Sequence, residues 1–346
     1  MNVSTNAVEA FLAEFGQLAA LVRKRVELEW RFHKHAALSA PELRDLLDYG
    51  DCFGRLLKVI YRHSLFAALQ DEFSWYAAVF ASRPSGPILL SQLLESWIFA
   101  IEGVIKPPEC NELAAPLHSL HATLPSALEK ALSLRDGSVA CAHPEFAERV
   151  LRGDVAAARA YLVALVESGT PWDALITEVL LPTMAYVGWK WELHEIEIFE
   201  EHLATETVRM LLASVPLLPA APAEQRARTA LVSCVPGDRH DLVALALWAY
   251  LSLRGWRAIN LGTSLPSDQL TKAAARFSVH SAFLVATQLS DLDDALETAS
   301  ILRNVIPGHV IAGGHGAEVG RSVLEGAGVG VASSFAEAIA LAEQGG

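Results

Sequence analysis

From Thr229 onward, short unbroken apolar runs alternate with helix-like stretches, and this rhythm narrows the fold more than any other feature of the chain. The runs "RTALVSCV", "RAINLG", "SAFLVAT", "HVIAGG" and "GVGVAS" span six to eight residues each. Runs this short, apolar without strict alternation and bounded by turn residues, read as strands buried on both faces. Between them, "HDLVALALWAYLSLRG", "SDQLTKAAARF", "LDDALETASILRNV" and "SFAEAIALAEQ" have helical character. About five β-α units predict an open parallel sheet, doubly wound, with helices on both faces. Ligands of such sheets lie beyond the carboxyl ends of the strands. Asp238 and His240 fall in the first of those loops, and Gly313–Gly314 in the fourth.

The remainder is helical by periodicity. "AFLAEFGQLAALVRKRVELEW", "LRDLLDYGDCFGRLLKVIYRHSLFAAL" and "ILLSQLLESWIFAIEGVI" repeat apolar residues at three- and four-residue steps, with "SRPSGP" and "KPPEC" as loops. Fourteen of the 27 aromatic residues lie in the first 100 positions, so this block either packs a ring-rich core or binds something flat. A second helical block follows, broken at "RGD" and "SGTP", where Pro171 reads as the first residue of a helix. The Pro/Ala-rich stretch 216–225 reads as a connector. These marks divide the chain into a helical domain at 1–135, a second helical block at 136–215 and the sheet domain at 225–346.

Composition removes several function classes. A net charge of −13 argues against direct nucleic-acid binding, which needs a basic face. The acidity peaks in 136–215, with 13 acids against 5 Lys and Arg. Four scattered cysteines with no Cys-x-x-Cys pair form neither a disulfide framework nor a zinc site. No basic-then-apolar leader opens the sequence, and no apolar stretch reads as a bilayer span, so a cytoplasmic, membrane-free protein is expected.

The first loop carries the chemistry. A His at the rim of a parallel sheet offers one ring nitrogen outward, and Asp238, two residues earlier, can fix the tautomer through the other. That is the usual arrangement of a metal-ligating imidazole, and equally of a general base. His315 is the one further imidazole in these loops, too few for a transition-metal site built from protein alone. One protein ligand suffices where a macrocycle supplies the others.

Asp238-x-His240, Thr287-x-Leu289 after the third strand and Gly313-Gly314 after the fourth together resemble the cobalamin-binding fold of corrinoid proteins, a flavodoxin- or Rossmann-like layer. The resemblance implies His240 as lower axial ligand to cobalt. Arg239, Thr287, Leu289 and the glycine pair would then line the slot for the nucleotide tail. Upstream, 142–215 resembles the four-helix cap of that family, and Trp191, then nine residues, then Glu201-His202 resembles its light-sensing, CarH-like branch. There the Trp covers the upper corrin face, and the Glu and His meet an adenosyl group. Met184, Val187 and Trp191, at steps of three and four, share one helix face and place Val187 beside the same cavity. Two positions depart from the pattern: Val243 stands where the family has Gly, and Glu192 follows the cap Trp where some relatives have His. His194 and His202 are the nearby imidazoles.

A helical, globin-like module ahead of the cap resembles the photocobilins, which pair cobalamin with biliverdin. The resemblance puts Trp30, His33, His63, Trp75, Tyr76 and Trp97 forward for the tetrapyrrole. Arg23, Arg25, Arg31 or Arg62 would meet propionates, and Cys52 or Cys110 could form a thioether, although non-covalent binding is favoured. The expectation is therefore a photoreceptor rather than an enzyme, binding adenosylcobalamin and a bilin, with a homo-oligomer or a downstream protein as partner. A corrinoid methyl carrier and a cobalamin-sensing antirepressor remain the alternatives.

Overall fold

The computed structural model describes residues 3–32, 40–83, 85–136, 140–215, 228–263 and 265–344. The proposed connector 216–225 and His33 lie outside the described residues. The chain divides into two compact units, Met1–Ser138 with Glu192–Glu195, and Val139–Trp191 with Ile196–Gly346.

Among its described residues the first unit has five helices: α1 (Thr5–Phe32), α2 (Ala40–His63), α3 (Phe66–Ala81), α4 (Gly86–Val104) and α5 (Glu109–Asp136). On α1, Ala7, Phe11, Leu18, Val22 and Val26 are buried, at steps of four and seven that turn one helix face inward. Half of the fourteen rings in the first 100 positions are buried in the core. Phe11 packs edge-on to Tyr61 at 4.7 Å, Phe15 stacks on Trp97 at 6.2 Å, and Phe53 meets Tyr76 edge-on at 5.2 Å. One expectation needs correcting. By length and composition α4 could cross a membrane, yet half of its most apolar stretch is buried among the other helices. A helix apolar on most sides is what a central helix of a bundle requires.

In the second unit, α6 (Pro144–Leu151), α7 (Val155–Glu167), α8 (Trp172–Leu175), α9 (Leu181–Glu192) and α10 (Ile198–Ser214) form the cap, a π turn at Ile176–Leu180 joining α8 to α9. The joined pair makes one rod, so the cap has four, as expected. Pro171 is not inside α8: it is the extended N-cap residue (φ −71°, ψ 152°), and the helix starts at Trp172. Its ring fixes φ but leaves ψ free to stay extended.

Five parallel strands follow: β1 (Thr229–Cys234), β2 (Arg257–Asn260), β3 (Ser281–Val285), β4 (Val310–Gly313) and β5 (Gly330–Ala332). Their order is β2-β1-β3-β4-β5. Helices α11 (Asp241–Leu253), α12 (Ser267–Arg276), α13 (Leu292–Arg303), α14 (His315–Val319), α15 (Arg321–Gly326) and α16 (Phe335–Glu343) complete the layer. This is the predicted doubly wound sheet. Its winding reverses between β1 and β3, so the loops leaving those two strands stand side by side.

The sandwiching of α11 explains its unusual greasiness. Ala244, Leu247 and Leu251 join the core of the sheet. Ala246, Ala249 and Tyr250 join the core of the cap. A helix buried on two opposite sides has little room for polar residues.

Candidate functional site

The loop from β1 to α11 turns at Gly237, whose φ of +94° is open to glycine at little cost. Asp238 follows, 1% exposed. A buried carboxylate must have its lone pairs occupied, and here four donors supply them. Oδ1 accepts the His240 backbone N–H (2.8 Å), the His240 ring Nδ1–H (2.9 Å) and the Thr287 hydroxyl (3.0 Å). Oδ2 accepts the Thr287 backbone N–H (2.7 Å). Thr287 Oγ1 also lies 2.9 Å from His240 Nδ1, so the three side chains close a triangle. The carboxylate can only accept, which puts the ring proton on Nδ1 and leaves the Nε2 lone pair free to bind a metal. The His240 side chain is 58% exposed while that of Asp238 is fully covered, so the ring projects from a rigid base.

The electrostatics follow this geometry. The hydrogen bond its ring donates to Asp238 holds His240 above the usual imidazole range, against the opposing effect of burial. Burial by itself would raise Asp238, but the ring and backbone N–H of His240 and the Thr287 N–H outweigh it, and its carboxyl lies below the usual range. Cys234, at the end of β1, is pushed well up by burial and then by Asp238, Asp241 and Asp291. It stays a thiol, a poor metal ligand. Among the described residues no three His, Cys, Asp or Glu side chains group as a metal cage. The site offers one strong donor.

The fourth loop closes the slot beside this triad. A Cβ on Gly314 (φ +100°) would stand 2.6 Å from the Ala286 carbonyl oxygen, and one on Gly316 would stand 2.2 Å from that of Gln288. No side chain fits there, so the β4–α14 loop lies backbone to backbone against 286–289. Gly313 is less confined, 3.3 Å from Ala332 O at the same test. Leu289 is buried at the start of a short 3₁₀ turn that ends at Asp291, itself 4% exposed. The sequence motifs single out neither Gly316, two residues beyond the Gly-Gly pair, nor Asp291, two beyond Leu289.

The cap residues distribute unevenly. Glu201 Oε2 lies 2.9 Å from His202 Nδ1, and its Oε1 accepts the Thr205 hydroxyl at 2.7 Å. His240 feels the negative charge of Glu201 as well as of Asp238 and Asp291, so the cap acid and the imidazole share one electrostatic neighbourhood. His202 is exposed and Trp191, near the end of α9, half-buried. Val187 is fully buried in the core that the cap shares with α11. Arg239 is exposed. Arg209 of α10 grips Asp241, the first residue of α11, with two bonds of 2.7 and 2.8 Å, tying the cap to the residue after His240.

In the first unit, Arg23 and Trp97 line a cavity of about 220 Å³ with Phe15, Asp51 and Arg55. Among the described residues, the others put forward for a bilin do not line this cavity. Within this unit Trp75 donates its indole N–H to Glu192 Oε1 (2.8 Å), and Arg83 Nε lies 2.7 Å from His194 Nε2. Tyr76 and Cys110 are buried.

Part of the chain is similar to known proteins. Residues 144–215 match the family model described as a B12 binding domain. The HTH-type transcriptional repressor CarH of Myxococcus xanthus is 31% identical over 130 residues, which cover 38% of this chain. The match spans 42% of that relative's length. The monomethylamine corrinoid protein of Methanosarcina barkeri, a solved structure, is 20% identical, with a TM-score of 0.45 over 57% of this chain and 95% of that one. A cobalamin-binding protein from Desulfitobacterium hafniense is 19% identical, with a TM-score of 0.30 over 57% of this chain and 95% of its own. Residues 144–215 thus match a B12 binding domain, and the chain spans less than half the length of the curated relative it resembles.

Proposed function

We propose that this chain is a light-sensing receptor that holds adenosylcobalamin between the cap and the sheet. The observation that carries the reading is the Asp238–His240–Thr287 triangle: a single imidazole, its tautomer locked, its Nε2 unbonded, at the switch point of the sheet. The residues fit the group. One donor is what a corrin leaves for the protein to provide. The backbone-to-backbone approach at Gly314 and Gly316 keeps side chains out of the wall beside that donor.

When bound, the cofactor supplies a cobalt–carbon bond that light breaks. Every other role falls to the chain. His240 would hold the metal from below, and Asp238 and Thr287 would keep its ring from rotating. Trp191, with Glu201 and His202 from α10, would shelter the upper side. The Arg209–Asp241 clamp ties α10 to the first residue of α11. The reading is of a sensor and not an enzyme, with output through self-association or a protein partner. A bilin in the first unit is the second part of the proposal. The cavity beside Trp97, at about 220 Å³, has suitable chemistry in Phe15, Trp97, Arg23 and Arg55. It is smaller than the roughly 300–1,000 Å³ of ordinary small-molecule sites, so a whole linear tetrapyrrole would enter only after side chains move.

The test is an absorption spectrum of the purified chain, produced with adenosylcobalamin and with biliverdin, before and after green light. The sensor reading expects the corrin bands to change within seconds of illumination. A chain that takes up corrinoid but prefers methylcobalamin, and responds to a reductant instead of light, is a methyl carrier. No corrinoid uptake at all removes the proposal. A far-red band tests the bilin separately.

A further inference from the structure

Helices α1, α2 and α4 of the first unit enclose a space that their side chains leave open. It measures about 220 Å³, and Phe15, Val22 and Arg23 line it from α1, Asp51 and Arg55 from α2, and Trp97 from α4. Val22 and Trp97 belong to the buried core, so much of the wall is apolar. The gap has a cause in the sequence. Gly50 and Gly54, one helical turn apart on α2, both border it, so α2 contributes no side chain at either position. A Cβ at Gly54 would stand 2.6 Å from the Trp97 ring, so the indole lies against bare backbone. An engineered apolar cavity of ~150 Å³ holds one benzene molecule. Here one such ring and a short polar tail fit with no side chain displaced, whereas a bilin needs side chains to move.

The polar groups of the wall say which tail. Asp51 accepts from Arg23 Nη1 at 2.6 Å, so the carboxylate of the lining is already neutralised and has little to offer a cationic ligand. Arg55 has no such partner. Among the described residues its one hydrogen bond goes to Cys52 Sγ at 3.2 Å, a weak acceptor for a guanidinium. A carboxylate matches that planar fork with two parallel bonds. The second unmet group is Trp97 itself. It is 1% exposed, and its indole N–H has no acceptor among the described residues. Buried donors seldom go without a partner. An oxygen on a ring held beside this indole would supply one.

We infer that the cavity binds a small aromatic carboxylate whose ring carries a hydrogen-bond acceptor. The ring packs among Phe15, Val22 and Trp97, the carboxylate meets Arg55, and the ring acceptor takes the Trp97 N–H. Nothing here depends on cobalamin, since every residue named lies within the first unit. The acid and a bilin would compete for one space, so the two can be told apart by titration.

Isothermal titration calorimetry on the full chain, without cofactor, tests the inference with 4-hydroxyphenylacetate as the probe. Far-UV circular dichroism confirms that each variant is folded. The wild type should bind the probe with a Kd of about 10–100 µM. Tyramine, of similar shape but with an amine in place of the acid, should bind at least about tenfold more weakly, and so should acetate, the acid without the ring. Phenylacetate, which lacks the ring oxygen, should lose about tenfold. Arg55→Gln, at an exposed position, should weaken the probe about tenfold or more. Ala19→Leu, which adds bulk at another lining position, should abolish binding. No heat with the probe at about 1 mM overturns the inference. So does tyramine or acetate binding as tightly as the probe, or an affinity unchanged in both variants. Equal affinity for phenylacetate overturns the ring acceptor and its bond to Trp97. A far-red band with biliverdin, in a chain that takes up no aromatic acid, overturns the inference and leaves the bilin as occupant. None of these outcomes bears on corrinoid uptake, which the spectrum decides.

Discussion

His240 is useful only because of what Asp238 does beneath it. A free imidazole samples rotamers and two tautomers; this one has its Nδ1–H anchored on a carboxylate that is itself held by Thr287. Asp238→Asn replaces the acceptor with an amide that can present an N–H to the ring. Cobalamin affinity should fall about 10–100-fold, the usual loss when the partner orienting a metal-bound His is removed. Titration of the protein into hydroxocobalamin, followed by absorption, measures it, and unchanged affinity would detach Asp238 from the metal. A pH dependence follows from the same bond. His240 is held above its ordinary pKa, so in the free protein Nε2 keeps a proton to higher pH than a solvent-exposed His would. Cobalt needs the neutral nitrogen, so acid competes with it. Affinity should be full above that raised pKa and fall about tenfold per pH unit below it. His240→Ala should abolish this dependence, and a dependence that survives the substitution would place the titrating group elsewhere.

At the scale of elements, the slot is made by two loops brought closer than side chains allow. Gly316→Ala would push a methyl group to 2.2 Å from the Gln288 carbonyl oxygen, so the loops must separate. The displacement costs about 3 kcal/mol or more, since the neighbour is backbone and not a flexible side-chain tip. Thermal unfolding followed by circular dichroism should show that loss, and cofactor uptake should fail at temperatures where the variant is still folded. Gly103→Ala, with nothing within 4 Å of its would-be Cβ, is the matched control and should not destabilise. The same reasoning explains why Gly-Gly reads weakly in a sequence. Two glycines in a turn are common, and only the approach of 286–289 gives them a reason.

At the scale of the molecule, the cap and the sheet belong to one compact unit while the N-terminal helices form another. A ligand that binds only the folded cap and sheet stabilises them by mass action, about 2.7 kcal/mol at a hundredfold excess over Kd. Scanning calorimetry with and without adenosylcobalamin should therefore raise the unfolding temperature of the cap-and-sheet unit. If ligand leaves every transition where it was, cobalamin does not bind the native fold.

The sequence by itself determined the layers. Strand and helix are written in the local period of apolar residues, which is why five β-α units and the helical first block were legible. "DRH" and "GGHG" could be placed in their loops on the same basis. What a period cannot show is which distant segments become neighbours. Thr287 reaches Asp238 from 49 residues away, because β3 pairs with β1 and not with β2. Arg209 finds Asp241 through the packing of α10 on α11. Val187 shares a helical face with Trp191 in the sequence, yet the packing of the cap draws it inside. Local spacing fixes where a side chain lies on its own element. The strand order and the close packing of elements decide what it meets, and those depend on the summed burial of the whole chain.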